Sequence, residues 1–192
     1  MNADAFRFLR AYMESPGKIA AVAPSSPYLA QIIAREIEPD DGPVIELGPG
    51  TGAFTRELLK RGVAPEHLVL VESSPQFARI LRRRYPRVRV LPMDAARLRT
   101  TSLFGGTVAG ATISGLPLLS MPAGKILSIL AGAFQNLGPC GAFIQFTYGF
   151  TCPVPRRVLD RLDLVSARTG FTMANMPPAS VYRITRRQVH SP

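Results

Sequence analysis

A chain of 192 residues with 46% hydrophobic content can bury one good core and leaves too little length for a large second domain, so a single domain over 1–192 is expected. No run of about 18 apolar residues is present, and Asp4, Arg7 and Arg10 interrupt the N-terminus where a secretory signal needs its apolar stretch, which predicts a cytoplasmic protein. The net charge of +10 rests almost wholly on arginine, with lysine only at positions 18, 60 and 125, and such a surface attracts the phosphates of nucleic acid and of an anionic bilayer alike.

Residues 1–16 read as a short amphipathic helix, with Phe6, Leu9 and Met13 on one stripe, Phe8 and Tyr12 beside it and Arg7 and Arg10 at its flanks. Ser15-Pro16-Gly17 ends it. A second helix is predicted from about Tyr28 to Glu38, with Ser26 as its cap and Pro27 in its first turn, and Asp40-Asp41-Gly42 then turns the chain. From there strands alternate with helices at short intervals, the pattern of an α/β fold whose mostly parallel sheet is covered on both faces. The strands are predicted at 43–47, 68–72, 88–92, 107–113 and 141–148, and the helices at 52–61, 75–85 and 121–136. Gly138-Pro139-Cys140-Gly141 reads as the turn before the fifth strand, and Phe171 to Arg187, broken by Pro177-Pro178, as a closing hairpin. Cys140 and Cys152 form neither a disulfide framework nor a metal-ligand cluster, so ordinary thiols and no metal are expected.

The chemistry concentrates where the first strand, Val44-Ile45-Glu46-Leu47, runs into Gly48-Pro49-Gly50-Thr51-Gly52. In a wound sheet a ligand binds beyond the carboxyl ends of the strands, and glycines let the main chain approach it closely. An acid stands at each of the first three strand ends: Glu46, Glu72 and Asp94, 26 and then 22 residues apart, as successive βα units require. Each alone reads equally well as a cap or turn carboxylate; the three in register with the glycine loop read as a nucleoside site. Glu72, followed by Ser73, is placed to accept from both ribose hydroxyls, Asp94-Ala95 to take the exocyclic amine of adenine, and Glu46 to hold an amino group. Gly48, Gly50 and Ala53 also fit a nicotinamide-enzyme fingerprint, but a pyrophosphate beside Glu46 would be repelled and no substrate domain follows residue 150.

Over residues 43–148 this combination resembles the Rossmann-like S-adenosylmethionine-dependent methyltransferases, which implies a seven-stranded, mostly parallel sheet with an antiparallel last strand over 43–187. The cofactor-binding set is then Glu46, Gly48, Gly50, Thr51, Gly52, Glu72, Ser73, Asp94, Ala95 and Ser114, and the product is S-adenosylhomocysteine. In the RNA adenine dimethyltransferases the fourth strand ends in Asn-Leu-Pro-Tyr, whose polar residue binds the amine and whose ring stacks on the flipped base. Here Gly115 and Leu118 replace both groups, which argues against nucleic acid as acceptor.

The chain is more similar to the bacterial phospholipid N-methyltransferases, through Tyr12 to Ser26, Ser114 to Ser120, Phe143 to Gly149 and Asn175 to Arg183. That resemblance implies methyl transfer to the amine of phosphatidylethanolamine and, by repetition, phosphatidylcholine. Residues 1–40 become membrane-docking and substrate-lid helices, with Phe6, Arg7, Phe8, Leu9, Arg10 and Met13 in the interface of the inner leaflet and Arg82-Arg83-Arg84, Arg87 and Arg89 adding attraction for anionic lipid. Tyr148 is the candidate catalytic residue on the acceptor side; Lys18, Ser25, Ser26 and Arg183 are candidate contacts to the lipid phosphate.

Overall fold

The structure, a computed structural model, describes residues 27–101, 103–148, 150–173 and 178–188. The expected N-terminal helix, with Phe6, Arg7, Phe8, Leu9, Arg10 and Met13, lies outside the described residues, as do Lys18, Ser25, Ser26 and Asn175-Met176-Pro177.

Helix α1 (Pro27–Ala34) buries Leu29, Ala30 and Ile33 and is shorter than the sequence suggests. The amides of Glu36 and Ile37 donate to the carbonyls of Ile33 and Ala34, three residues back, so the last turn tightens and the helical ladder ends there. A 3-10 turn at Pro39–Asp41 leads into β1 (Val44–Leu47). There follow α2 (Ala53–Lys60), β2 (Leu68–Val71), α3 (Pro75–Arg84), β3 (Arg89–Leu91), a 3-10 segment at Ala95–Thr100, β4 (Ala109–Ser114), α4 (Ala123–Asn136) and β5 (Leu137–Tyr148). The chain closes with α5 (Arg156–Arg161), β6 (Leu164–Thr172) and β7 (Ala179–Arg186).

The seven strands lie in the order β3-β2-β1-β4-β5-β7-β6. The first five are parallel, and β7 runs antiparallel between β5 and β6. The central strands are buried on both sides, which is why Leu68-Val69-Leu70-Val71 is apolar without alternation. Ile45, Leu47, Val69, Val71 and Phe143 pack on α4 and α5 through Ile126, Ile129, Leu130 and Val158. Val44, Leu68, Leu70, Ile113 and Ile144 face α1, α2 and α3 through Leu29, Ile33, Phe54, Leu58 and Leu81. Strand order reverses between β1 and β4, so the crevice at their carboxyl ends is the place for a ligand.

Three expectations need correction. Gly138-Pro139-Cys140-Gly141 lies inside β5 as a bulge, because pairing with β4 jumps from Ala109↔Leu137 to Ala111↔Ala142. The Arg186 guanidinium fills that bulge, donating to the carbonyls of Gly138 (2.6 Å), Phe134 (2.5 Å) and Leu137 (3.2 Å), and so satisfies the end of α4. The closing hairpin starts seven residues earlier than predicted, at Leu164, and α5 was not anticipated. Strand β6 is at the sheet edge and mostly exposed, so its sequence carries little hydrophobic period.

Gly110 marks the tightest backbone approach. A Cβ there would lie 2.3 Å from the Asp41 carbonyl oxygen, while its own amide donates to the Pro43 carbonyl at 2.9 Å. Gly110→Ala is therefore expected to destabilise the fold by about 1–3 kcal/mol, lowering the urea midpoint with little change in slope. An unchanged midpoint would mean that the Asp40-Asp41 turn yields freely.

Candidate cofactor and acceptor site

The loop from Gly48 to Gly52 owes its shape to two close crossings. Gly48 has φ 66°, and a Cβ on it would lie 2.7 Å from the Leu116 side chain; a Cβ on Gly115 would lie 2.7 Å from the Gly48 carbonyl oxygen. The loops after β1 and β4 thus pass backbone to backbone. Gly50 differs: its φ of 54° demands glycine, yet among the described residues nothing lies within 4 Å of its missing side chain.

Side chains from neighbouring strands and helices hold this loop. Glu72, buried at the end of β2, accepts from the Gly50 amide through Oε2 at 3.1 Å and from the Ser74 amide through Oε1 at 2.8 Å. Each oxygen of an ionised carboxylate has a second acceptor position, so the group is anchored and still able to receive ligand hydroxyls. Ser73 beside it is exposed. At the C-terminal end of α3, Arg84 Nη1 donates to the Thr51 carbonyl at 2.7 Å and the Tyr85 hydroxyl to the Gly52 carbonyl at 3.2 Å. The run Arg82-Arg83-Arg84, read as a lipid-attracting surface, is thereby partly diverted: Arg82 donates to the Val90 carbonyl, and farther on Arg87 pairs with Glu66 and Arg89 donates to the Leu103 carbonyl.

Glu46 is fully buried beneath the loop, on the sheet face shared with Val44. Its Oε2 accepts from the Thr55 hydroxyl at 2.7 Å, and its Oε1 has no hydrogen-bond partner among the described residues. Burial pushes this carboxyl up to about 7, Thr55 partly offsets the rise, and the Glu72 charge adds to it. A buried acceptor without a donor costs free energy, which suits a place where a ligand supplies the donor.

Asp94 caps the 3-10 segment after β3 by accepting from the Ala96 amide at 2.9 Å, and its other oxygen takes Lys125 Nζ at 2.7 Å. Lys125, then the Ala96 amide, hold this carboxyl below the usual range. The predicted adenine contact at Asp94 is therefore shared with a lysine, and Ala95 is buried behind it. Lys125 sits in the first turn of α4, where a cation opposes the helix dipole; that unfavourable placement was the available sign of an acidic partner.

On the acceptor side β1 and β4 end in register at Leu47↔Ser114, and Ser114 pairs with Gln145 of β5, which runs on to Tyr148. Ser114 is fully buried and accepts from the Leu116 amide at 3.3 Å. Gln145 Nε2 donates to the carbonyls of Leu116 (3.0 Å) and Phe146 (2.6 Å), which fixes the amide orientation and leaves Oε1 buried with no partner among the described residues. Tyr148 stands edge-on to Phe146, and Phe146 edge-on to Phe54, both with centroids 5.7 Å apart, so an aromatic ladder ties the first turn of α2 to the end of β5. Arg183 is not brought to this edge. It pairs with Ile144 in mid-strand and bonds the end of α1 through the Glu36 carbonyl (3.3 Å) and carboxylate (3.6 Å). Thr55, Tyr85, Lys125 and Gln145 are site-building residues that sequence reasoning did not single out, and Arg84, read there as a lipid-attracting charge, holds the glycine loop instead.

Comparison with known proteins agrees with this geometry. Residues 25–105 match the ribosomal RNA adenine dimethylase family. The chain is 30% identical to the ornithine lipid N-methyltransferase of Singulisphaera acidiphila, covering 93% of its own length and 94% of that protein. It is 35% identical to the ribosomal RNA small subunit methyltransferase A of Chlorobium chlorochromatii over 38% of its own length and 26% of that protein. Among solved structures, a glycopeptide N-methyltransferase complexed with S-adenosyl-L-homocysteine shares the fold, with TM-score 0.67 at 15% identity over 86% of this chain and 88% of that one.

The buried carboxyl makes stability depend on pH. In the folded, ligand-free protein Glu46 keeps its proton up to about pH 7, against an ordinary value of 4.5, so in that window the folded state binds more protons and stability falls as pH rises. Glu46→Gln should remove this loss, amounting to about 3 kcal/mol between about pH 5 and pH 8, as read from urea unfolding of the two proteins. Parallel pH profiles would show that the carboxyl is solvated.

Proposed function

This chain belongs to the same family of S-adenosylmethionine-dependent methyltransferases as the ornithine lipid N-methyltransferase of Singulisphaera acidiphila, and we propose that it N-methylates the primary amine of a membrane lipid. The observation that carries this reading is the loop after β4. The Cβ position of Gly115 is blocked by the Gly48 carbonyl oxygen, and Leu118, at the position of the stacking ring in the RNA enzymes, is buried in the core. Neither position offers anything to a flipped base, and the match to the RNA adenine dimethylase family ends at residue 105, before this loop begins. The lipid-methylating relative is matched over nearly its whole length.

The residues present fit the cofactor. The partnerless Glu46 Oε1 suits an ammonium group, Glu72 a ribose and Asp94 an adenine amine, with Gly48, Gly50, Thr51, Gly52, Ser73, Ala95 and Ser114 completing the cradle. S-adenosylmethionine, when bound, supplies an electrophilic methyl group on a sulfonium and leaves as S-adenosylhomocysteine.

The acceptor amine is mostly protonated near neutral pH, with about 10 as the reference for an alkylamine, and becomes nucleophilic once desolvated. The chain must then exclude water and aim the lone pair. We assign the aiming to Tyr148, whose half-buried ring at the end of β5 offers a π face to an increasingly methylated cation. Two lipids present the required amine, phosphatidylethanolamine and the amino-acid-headed ornithine lipid. Peripheral docking on the inner leaflet is part of the proposal; among the described residues no helix is long and apolar enough to cross a membrane.

Incubation of the purified protein with methyl-labelled cofactor and vesicles of phosphatidylethanolamine, vesicles of ornithine lipid, or structured RNA is expected to label one or both lipids. Label in RNA alone overturns the lipid reading. Separately, Glu72→Ala should weaken cofactor binding by about 1.5–3 kcal/mol in calorimetry, the range for a hydrogen bond to a charged group. Unchanged affinity would remove Glu72 from the ribose site.

A further inference from the structure

We propose that Phe150, Phe171 and Met173 form an insertion patch by which the C-terminal half of the chain docks on an anionic lipid bilayer. The inference rests on the lipid reading above for its purpose but on different residues for its evidence.

Strands β5 and β6 run parallel on either side of β7, and Ala179 of β7 is in register with Tyr148 on one side and Thr172 on the other. Phe150 and Met173 follow those two strand ends, and Phe171 precedes one of them. All three therefore sit on the carboxyl edge of the sheet, beside the acceptor end of the site. Their exposures are 64% for Phe150, 41% for Phe171 and 72% for Met173. The two rings stack on each other, with centroids 5.4 Å apart and an interplanar angle of 26°, and still present a broad apolar surface to solvent. Their placement is fixed by a further contact, since the Tyr182 hydroxyl on β7 donates to the Phe150 carbonyl at 2.5 Å.

The charges around the patch select the occupant. Arg168 lies three residues back along β6, and Arg156 and Arg157 open the helix that begins six residues after Phe150; all three are exposed. Between residues 147 and 173 the only acids are Asp160, which lies 3.8 Å from Arg156 and 3.3 Å from Arg187, and Asp163, which lies 3.6 Å from Arg187, against arginines at 156, 157, 161 and 168. Exposed apolar side chains in a stretch where arginines outnumber acids match the boundary between acyl chains and anionic headgroups. A second copy of the chain would instead bring like charges together on a protein of net charge +10. Docking through this edge would present the carboxyl ends of β5 and β6 to the bilayer, so that a headgroup amine meets Tyr148 without the lipid leaving the membrane.

The test compares the full chain with its Phe150→Asp/Phe171→Asp and Phe150→Ala/Phe171→Ala variants in sedimentation with vesicles of phosphatidylglycerol and phosphatidylethanolamine. Both variants should partition to vesicles at least about tenfold less, since burying one phenylalanine contributes more than a decade of binding. Thermal melting, calorimetric cofactor affinity and the rate on monomeric dihexanoyl phosphatidylethanolamine should stay at wild-type values. Wild-type sedimentation of both variants overturns the proposal. So does a change of oligomeric state with vesicle binding unaltered, which would make the patch a self-association surface. Vesicle binding that drops as expected, with no labelling of the short-chain lipid by any form, leaves the docking surface standing and removes the phosphatidylethanolamine reading instead.

Discussion

The organising constraint in this molecule is a carboxylate placed where a hydrophobic residue would be more stable. Glu46 occupies the penultimate position of β1 between Leu70 and Ile113, fully buried, with one oxygen on Thr55 and the other without a partner among the described residues. Burial of an ionisable group without full pairing costs several kcal/mol in general. The glycine loop follows this residue in the chain and the first turn of α2 supplies its Thr55 partner, so the strand keeps a buried acidic group where an apolar residue would be more stable.

Around that point the polar groups are pre-positioned by contacts that do not depend on a ligand. Glu72 is held by the Gly50 and Ser74 amides, the loop carbonyls by Arg84 and Tyr85, and Asp94 by Lys125. Such groups are already oriented when a nucleoside arrives, so little ordering remains to be done at binding. The same contacts limit the variety of ligands: the acceptor oxygens of Glu72, Asp94 and Glu46 suit the hydroxyls and amines of a ligand.

The acceptor half follows a different logic. Backbone crossing at Gly48 and Gly115 closes the space in which a base-binding side chain would lie, and the exposed aromatic pair Phe150 and Phe171 continues the edge outward. Gln145 connects the two halves, because its amide nitrogen fixes the loop after β4 while its oxygen stays unpaired beside Ser114.

The placement of the glycine loop and the three acids was legible in the sequence. A glycine loop after an apolar run, with acids at each of the next two strand ends, follows from the local spacing of βα units, and the structure puts Glu46, Glu72 and Asp94 at the ends of adjacent strands accordingly. The strand and helix order through β5 was legible for the same reason, since buried parallel strands and amphipathic helices carry their period in the chain itself. Tertiary structure alone decided the rest. Edge strand β6 has too little burial to show a period, and the bulge in β5 exists because Arg186, far along the chain, caps α4 there. Likewise Arg84 and Lys125 read as surface charge, and Arg183 as a lipid-phosphate contact, until partners 33, 31 and 147 residues away claim them. Spacing records which residues share one element; which charges meet across elements is set only when the sheet brings them together.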